Sequence, residues 1–515
     1  MDVSIPQIRL AELIAALSLA TDFGMGQPLE FALRSCVVAL RLAEKLGFDE
    51  NGMRDVYYQS LLRYIGCNAE TRLLAAVFGD ELALRTEIIH TDPTTPAYFQ
   101  LLTRFIRQAN AGASPLQMLG AIVGGFAQMT SQVNEFFVGH CEVAARLAQR
   151  LELDHSTILA ISQVYARWDG KGIPPLKGEA IAPGMLVVSL AQDAVAFYQL
   201  GGLEAAVAVA KQRRGEMYAP QHVEVFTQYA PELFAGLETD SVWEAVIRLE
   251  PGPRRYLTAS QFDAACEAIA DFTDIKSPYL LGHSTGVARL ASGAARRSGL
   301  PEAEVSMVRR VGLLHDIGRV AVSAGIWGKP GSLSDPEWEK VRLHPYYTER
   351  ILARPQALAD LGAVASLHHE RLDGSGYHRG LRTLPPAARL LAAADVYQAL
   401  IEPRPYRPPR TPEQAADELN REVRAGRLDR EAVHNVLLTA GHSVGRTRRD
   451  MVAGLSEREV EVLRLVARGL SIKEIAHQLI IAPKTVDNHI QHIYAKIGVT
   501  TRAGATLFAM ENSLL

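Results

Sequence analysis

Cysteine is scarce in this chain. Four occur in 515 residues, Cys36, Cys67, Cys141 and Cys266, and no two form a C-x-x-C pair. That pattern excludes a disulfide framework or a thiolate zinc site and fits reduced thiols in a cytosol. Charge of one sign is lacking too: 54 Lys and Arg stand against 57 Asp and Glu, a formal net charge of −3. Global electrostatics therefore carries no nucleic-acid signature, and any such surface has to be argued locally. No apolar run approaches the ~20 residues of a spanning helix. The N-terminus begins with Asp2 and an interrupted apolar pattern rather than a basic start and an apolar run. A cytoplasmic protein with no membrane partner is expected.

Alternating Val/Ile/Thr runs, the mark of strands, are few, while Ala, Leu, Arg and Glu recur at helical spacing, so the fold class is mostly α. The length exceeds what one core supports. Gly- and Pro-rich punctuation at LEPGPRR (Leu249–Arg255) and GHSVGRTRR (Gly441–Arg449) marks boundaries. The expected division is 1–248, 257–441, a linker at 442–452, and 453–515.

The first two parts repeat one another. SLLRYIGC (Ser60–Cys67) parallels GLLHDIGR (Gly312–Arg319), each with a glycine 19 residues before its own: Gly47 to Gly66, Gly299 to Gly318. His140 precedes Asp169 by 29 residues, as His344 precedes Asp373, and WDGKGIP shares its glycine frame with LDGSGYH. Gly66 to His140 spans 74 residues against 26 from Gly318 to His344, so the first copy holds an insertion of about 48, with Thr91–Ser114 the candidate region.

The second copy carries His283, His315, Asp316, His344, His368, His369 and Asp395. Imidazole and carboxylate without thiolate suit Fe, Mn or similar ions, and a bridging carboxylate can hold two of them. A lone helical histidine is usually a satisfied core or surface residue. Adjacent His-Asp and His-His pairs are harder to explain that way.

GHSTGVARLA, LLHDIGRVAV, KPGSLSDPEWEKVRLHP, HHERLDGSGYHRG and AARLLAAADVYQAL followed by RPYR form an ordered series that resembles the HD-GYP family. The resemblance implies tandem helical HD-GYP-like domains, the first degenerate, and a metal-dependent phosphodiesterase domain that hydrolyses or senses cyclic di-GMP, the alternatives being a phosphohydrolase acting on another nucleotide or a catalytically silent ligand-responsive regulator. It implies two divalent ions, Fe or Mn, on the seven His and Asp residues, with Asp316 the bridge. Asp316 and Arg319 are the expected catalytic pair, Arg319 standing where the family usually has Lys, a change of reach rather than charge. Lys329, Gly374, Gly376 and Tyr377 join Arg319 as expected substrate contacts. The glycines would supply a turn with positive backbone angles, and Tyr377 would either stack on a base or pack. His378 replaces the family's Pro, and Tyr279 replaces the Glu of trimetal members. In the first copy the HD pair becomes Arg63-Tyr64, the double histidine Val164-Tyr165 and the first histidine Phe31, leaving His140 and Asp193.

After Gly454, Ser456 with Glu459 and Ser471 with Glu474 read as capping boxes, and Pro483 suits the first turn of a third helix. Val486, Ile490, Ile493 and Ile497 form an apolar stripe. Lys484, Thr485, Asn488, His489, His492 and Lys496 remain on the other surface as candidate DNA contacts. L-S-x-R-E-x-E-V-L, K-E-I-A, P-K-T-V and K-x-G-V make the segment similar to LuxR-type helix-turn-helix domains. That implies a four-helix domain reading double-stranded DNA as a homodimer. Arg446, Arg448 and Arg449 are further candidate phosphate contacts.

Overall fold

A computed structural model describes residues 8–91, 95–238, 241–441, 452–512 and 514–515. The protein is 68% helical, with no strand among the described residues, as its composition requires. The chain divides into two compact units that meet in sequence between Gln261 and Phe262.

The first unit runs through α1 (Leu10–Gly24), α2 (Phe31–Lys45), α3 (Glu50–Leu62), α4 (Thr71–Phe78), α5 (Glu81–Ile88), α6 (Pro96–Ala109), α7 (Pro115–Arg150), α8 (His155–Ile161), α9 (Pro183–Gln212), α10 (Pro220–Phe234) and α11 (Val242–Arg248). Then follow α12 (Ala259–Asp274), α13 (His283–Arg297), α14 (Glu302–Leu314), α15 (Ala324–Trp327), α16 (Asp335–Arg342), α17 (His344–Leu352), α18 (Gln356–Ala365), α19 (Pro386–Ile401), α20 (Pro412–Arg424) and α21 (Arg430–Thr439). The C-terminal helices are α22 (Glu457–Ala467), α23 (Ile472–Leu479), α24 (Pro483–Ile497) and α25 (Arg502–Glu511). Most of the expected linker, with Arg446, Arg448 and Arg449, lies outside the described residues.

The two copies share local geometry. α13 and α14 begin at 283 and 302, α2 and α3 at 31 and 50, and both differences are 252. The residue capping α2 and α13 is left-handed in both, Glu30 at φ 72° and Gly282 at φ 76°. A buried aspartate from the preceding helix accepts the next helix's free amide in each: Asp22 from Ala32 at 3.0 Å, Asp274 from Ser284 at 2.8 Å. Gly66 and Gly318 are small for one reason: a Cβ would lie 2.1 Å from the His140 carbonyl oxygen in the first copy and 2.0 Å from that of His344 in the second. Gly318→Ala would also press on the Thr348 amide, 2.5 Å away, so it is expected to cost about 3 kcal/mol or more. Calorimetry should show a melting temperature lowered by several degrees.

The extra residues of the first copy are α4, α5, α6 and the first turns of α7. Val77, Phe78, Leu84, Leu102, Phe105 and Ile106 give them a small core of their own. The insertion thus extends on both sides of the stretch its spacing suggested. By length and composition α9 passes as a membrane span, unlike anything the run lengths indicated, but 56% of its apolar window is buried within the protein. It also breaks at Gly201 and Gly202, whose backbone angles are not helical.

Candidate metal centre and nucleic-acid interface

Helix ends deliver the histidines. His283 opens α13, His315 caps α14, His344 opens α17, and His368-His369 follow α18, while Asp395 projects from within α19. The Thr348 hydroxyl donates to the His315 carbonyl at 2.9 Å and accepts the Gly318 amide at 3.0 Å, fixing the His-Asp turn against α17.

All seven side chains converge, and all but His369 are almost fully buried. Asp316 lies at the centre. Its Oδ2 is 3.2 Å from His315 Nε2 and 3.6 Å from His283 Nε2; its Oδ1 is 3.4 Å from the Nε2 of both His344 and His368. Asp395 spans the same two sets, with Oδ1 3.2 Å from His283 Nε2 and Oδ2 3.7 Å from His369 Nδ1.

The surroundings fix which ring nitrogens face inward. His315, His344 and His368 each donate Nδ1–H to the carbonyl three residues earlier, on Gly312, Val341 and Ala365, at 2.8, 2.6 and 2.7 Å. In the neutral ring each Nε2 lone pair then points into the cluster. Those of His344 and His368 face each other at 3.0 Å, a repulsion that a shared cation removes. His283 Nε2, His315 Nε2 and both oxygens of Asp316 are buried without a hydrogen-bond partner. Native interiors rarely leave such atoms orphaned, and a divalent ion would satisfy them. Two groupings, His283-His315-Asp316 and His344-His368-His369, have ligand atoms close enough to hold an ion.

Protonation matches that chemistry. Burial opposes ionisation of Asp316, but Arg319 and His315 hold its carboxyl well below the ordinary range. His283 and His369 do the same for Asp395 against its burial. Burial lowers His344 to about 4, and burial with His368 keeps His369 well below the usual imidazole value. Anionic carboxylates with neutral imidazoles are metal ligands already deprotonated. His283 differs: burial would lower it, yet Glu402 and Asp395 raise it to about 10.

Glu402 was not legible as part of the site. Its Oε2 is 2.8 Å from His283 Nδ1, the carboxylate–histidine pairing that orients a metal ligand. Its signal was the spacing of seven from Asp395, two turns along one helical face. Glu402→Gln is expected to weaken metal binding 10- to 100-fold with the fold intact, measured by competition with a chromogenic chelator. Glu370 was missed as well; fully buried, it accepts the amides of Arg379 and Leu381 at 2.7 and 2.8 Å and holds the glycine-rich loop.

A cleft of about 450 Å³ opens onto the cluster, lined by His344, His369 and Asp395 and by Arg319, Lys329 and Tyr377. Arg404, Trp327, Trp338 and Tyr406 line it too, none of them singled out from sequence. Guanidinium groups beside aromatic rings suit phosphates and bases. Arg319 lies over the Trp327 ring at 4.6 Å, with Nε 2.8 Å from Asp316 Oδ2 but off the hydrogen-bonding direction. Lys329 pairs with Glu337 at 2.6 Å, and Tyr377 packs on His369 with ring centroids 4.7 Å apart. Gly374 and Gly376 shape the loop without lining the cleft. Gly374 has the expected positive φ, 81°, but Gly376 does not; its side chain is excluded because a Cβ would lie 2.4 Å from the Arg371 amide nitrogen.

The corresponding place in the first copy is filled differently. Arg63 Nη1 donates to Ser189 Oγ at 3.0 Å, and Tyr165 lies 3.4 Å from His140 Nδ1. Burial lowers His140 to about 3. Asp193 accepts hydrogen bonds from Arg213, at 2.6 Å, and Tyr218.

In the C-terminal domain both capping boxes form, and Pro483 occupies the first turn of α24. Val486, Ile490, Ile493 and Ile497 are buried in its core. Lys484, Thr485, Asn488 and His492 are exposed on α24 and His489 is half-buried. Lys496 is engaged internally: it donates to Glu459 at 2.7 Å and the Gly454 carbonyl at 3.1 Å. Lys496, with the Ser456 amide, lowers the Glu459 carboxyl to about 2. A depressed acid stabilises the fold above its unfolded value near 4.5, and that stabilisation disappears as pH falls toward 2. Lys496→Met is therefore expected to raise the acid-unfolding midpoint of this domain, followed by circular dichroism.

Residues 267–432 match the HD domain family and residues 453–509 the bacterial regulatory proteins of the luxR family. The chain is 28% identical over 414 residues to a 3′3′-cGAMP-specific phosphodiesterase of Vibrio cholerae, covering 79% of this chain and 89% of that protein. A crystal structure of a cyclic GMP-AMP specific phosphodiesterase from V. cholerae superposes with a TM-score of 0.59 at 25% identity, covering 85% of this chain and 99% of that one. A cyclic di-GMP phosphodiesterase of Pseudomonas aeruginosa is 42% identical over 132 residues, 25% of this chain and 32% of that protein. The chain carries an HD domain, homologous to the HD-GYP phosphodiesterases, joined to a luxR-family DNA-binding domain.

Proposed function

We propose that this protein is a DNA-binding regulator whose HD domain hydrolyses a 3′3′-cyclic dinucleotide, cyclic GMP-AMP ahead of cyclic di-GMP. The observation that carries the reading is the division of Asp316, one oxygen toward each histidine set. His283, His315, Asp316 and Asp395 would hold one divalent ion, and Asp316, His344, His368 and His369 a second, Fe or Mn by donor type. When bound, such a pair supplies Lewis acidity, acidifies water and neutralises phosphate charge. The chain's own groups do the rest. Arg319 and Lys329 draw phosphate oxygens into the cleft, Tyr377 and the tryptophans confine the bases, and Glu402 keeps the His283 ring in register. The coverage of the V. cholerae relative favours cyclic GMP-AMP over the cyclic di-GMP that the family resemblance alone suggested. A substrate panel with product analysis tests this: linear dinucleotide should accumulate fastest from cyclic GMP-AMP. Equal or absent turnover across the panel would contradict the assignment.

The closeness of Arg319 to Asp316 favours a second reading, a ligand-responsive regulator with slow or no turnover. A metal-loaded protein that binds the dinucleotide and leaves it intact over hours would support it. On α24, Lys484, Thr485, Asn488, His489 and His492 would face the major groove, with Lys496 contributing mainly to the domain's stability. A function on chromosomal DNA implies the cytoplasm. Any coupling must be reciprocal: if dinucleotide changes DNA affinity, DNA changes dinucleotide affinity by the same factor.

A further inference from the structure

α7 carries a surface with no part in either site. From Pro115 to Asn134 its sequence, PLQMLGAIVGGFAQMTSQVN, contains no charged residue. One side of the helix, with Ile122 and Met129, packs on the insertion's small core. The opposite side is bare. Leu116 is 80%, Leu119 58% and Val123 61% exposed, and a Cβ at Gly120 or Gly124 would meet nothing within 4 Å. At 100° per residue these five and the exposed Ala127 fall on one stripe roughly 140° wide. Glycine inside an exposed helix costs roughly 0.5–1 kcal/mol against alanine, a cost that close approach of another backbone would offset.

We propose that this stripe is covered by the same stripe of a second copy of the chain, two α7 helices pairing across a two-fold axis. In such an isologous contact each surface meets itself, so a charged stripe would repel itself and an uncharged one does not. The same lack of charge gives an acidic or basic partner nothing to pair with. The exposed Phe99 of α6, its ring centroid 6.1 Å from that of Phe126 on α7, extends the patch. These side chains offer on the order of 400 Å² of apolar surface. That is half of the roughly 800 Å² each partner brings to a standard interface, and the intervening glycines, Ala127 and glutamines can supply the rest. A helix-turn-helix domain that reads two half-sites also needs two copies, independently of the hydrolase reading.

Light scattering on the full-length protein tests the pairing. The native chain should have twice its 56.3 kDa mass at micromolar concentration. Leu119→Glu with Val123→Glu should return it to the single-chain mass with its circular dichroism unchanged, since both side chains are exposed. Gly120→Cys supplies a reading that does not depend on loss of association: the four native cysteines are buried, so mild oxidation should convert most of this variant to a covalent dimer. A native chain that stays monomeric, a dimer indifferent to the double Glu change, or a monomer that instead sediments with lipid vesicles would overturn the proposal.

Discussion

Asp316→Asn is expected to reduce hydrolysis of the cyclic dinucleotide by roughly 10³-fold or more, about 4 kcal/mol of transition-state stabilisation. The two oxygens of Asp316 face different histidine sets, and together they approach four of the five histidines. An amide keeps the volume but loses the negative charge and places an NH₂ toward one set, where a bound cation requires a lone pair. It also leaves the buried guanidinium of Arg319 without its nearest anion. Unpaired buried charge is costly, so a lower melting temperature should accompany the loss of rate. Metal content separates the two effects: an intact fold with fewer ions per chain supports bridging, whereas full metal content with unchanged turnover contradicts it. Assays should follow rate and metal content on the same preparation.

Asn488→Ala combined with Lys484→Ala is expected to have the second-largest effect, on DNA rather than on hydrolysis. Both side chains are exposed on α24, so the buried stripe and the domain fold should be untouched. Loss of a base-edge contact costs about 1–3 kcal/mol, so a ten- to hundredfold weaker complex with the preferred site is expected from Asn488. Lys484, as a phosphate contact, should weaken all sequences alike and reduce the slope of log affinity against log salt by about 1. Lys484 is tied only to Asp487, an exposed pair at 3.0 Å that DNA can outcompete. Fluorescence anisotropy over a salt series reads both quantities. Unchanged affinity and slope would assign groove contact to another surface.

The His/Asp cluster was legible as a candidate metal site because its residues are chemically conspicuous: adjacent His-Asp and His-His pairs at helix ends, in a frame that a second copy in the same chain makes countable. The capping boxes of the C-terminal helices were legible because each depends on two residues three apart. What stayed hidden depends on tertiary contact. Glu402 reads as an ordinary acid until α13 brings His283 to it. Lys496 looks like a phosphate contact until Glu459, 37 residues earlier, closes on it. Gly376 was expected to need a positive φ because a glycine's neighbours in space cannot be read from its neighbours in sequence. The insertion's extent was hidden as well, since spacing against the second copy gives its length but no boundary.

Metal content after anaerobic reconstitution, with excess ion removed, tests the central claim most directly. Two equivalents of Fe or Mn per native chain are expected, and fewer in His315→Ala and Asp316→Asn. A native chain that retains none, or whose content is unaffected by both substitutions, would contradict a dinuclear centre on the His/Asp cluster.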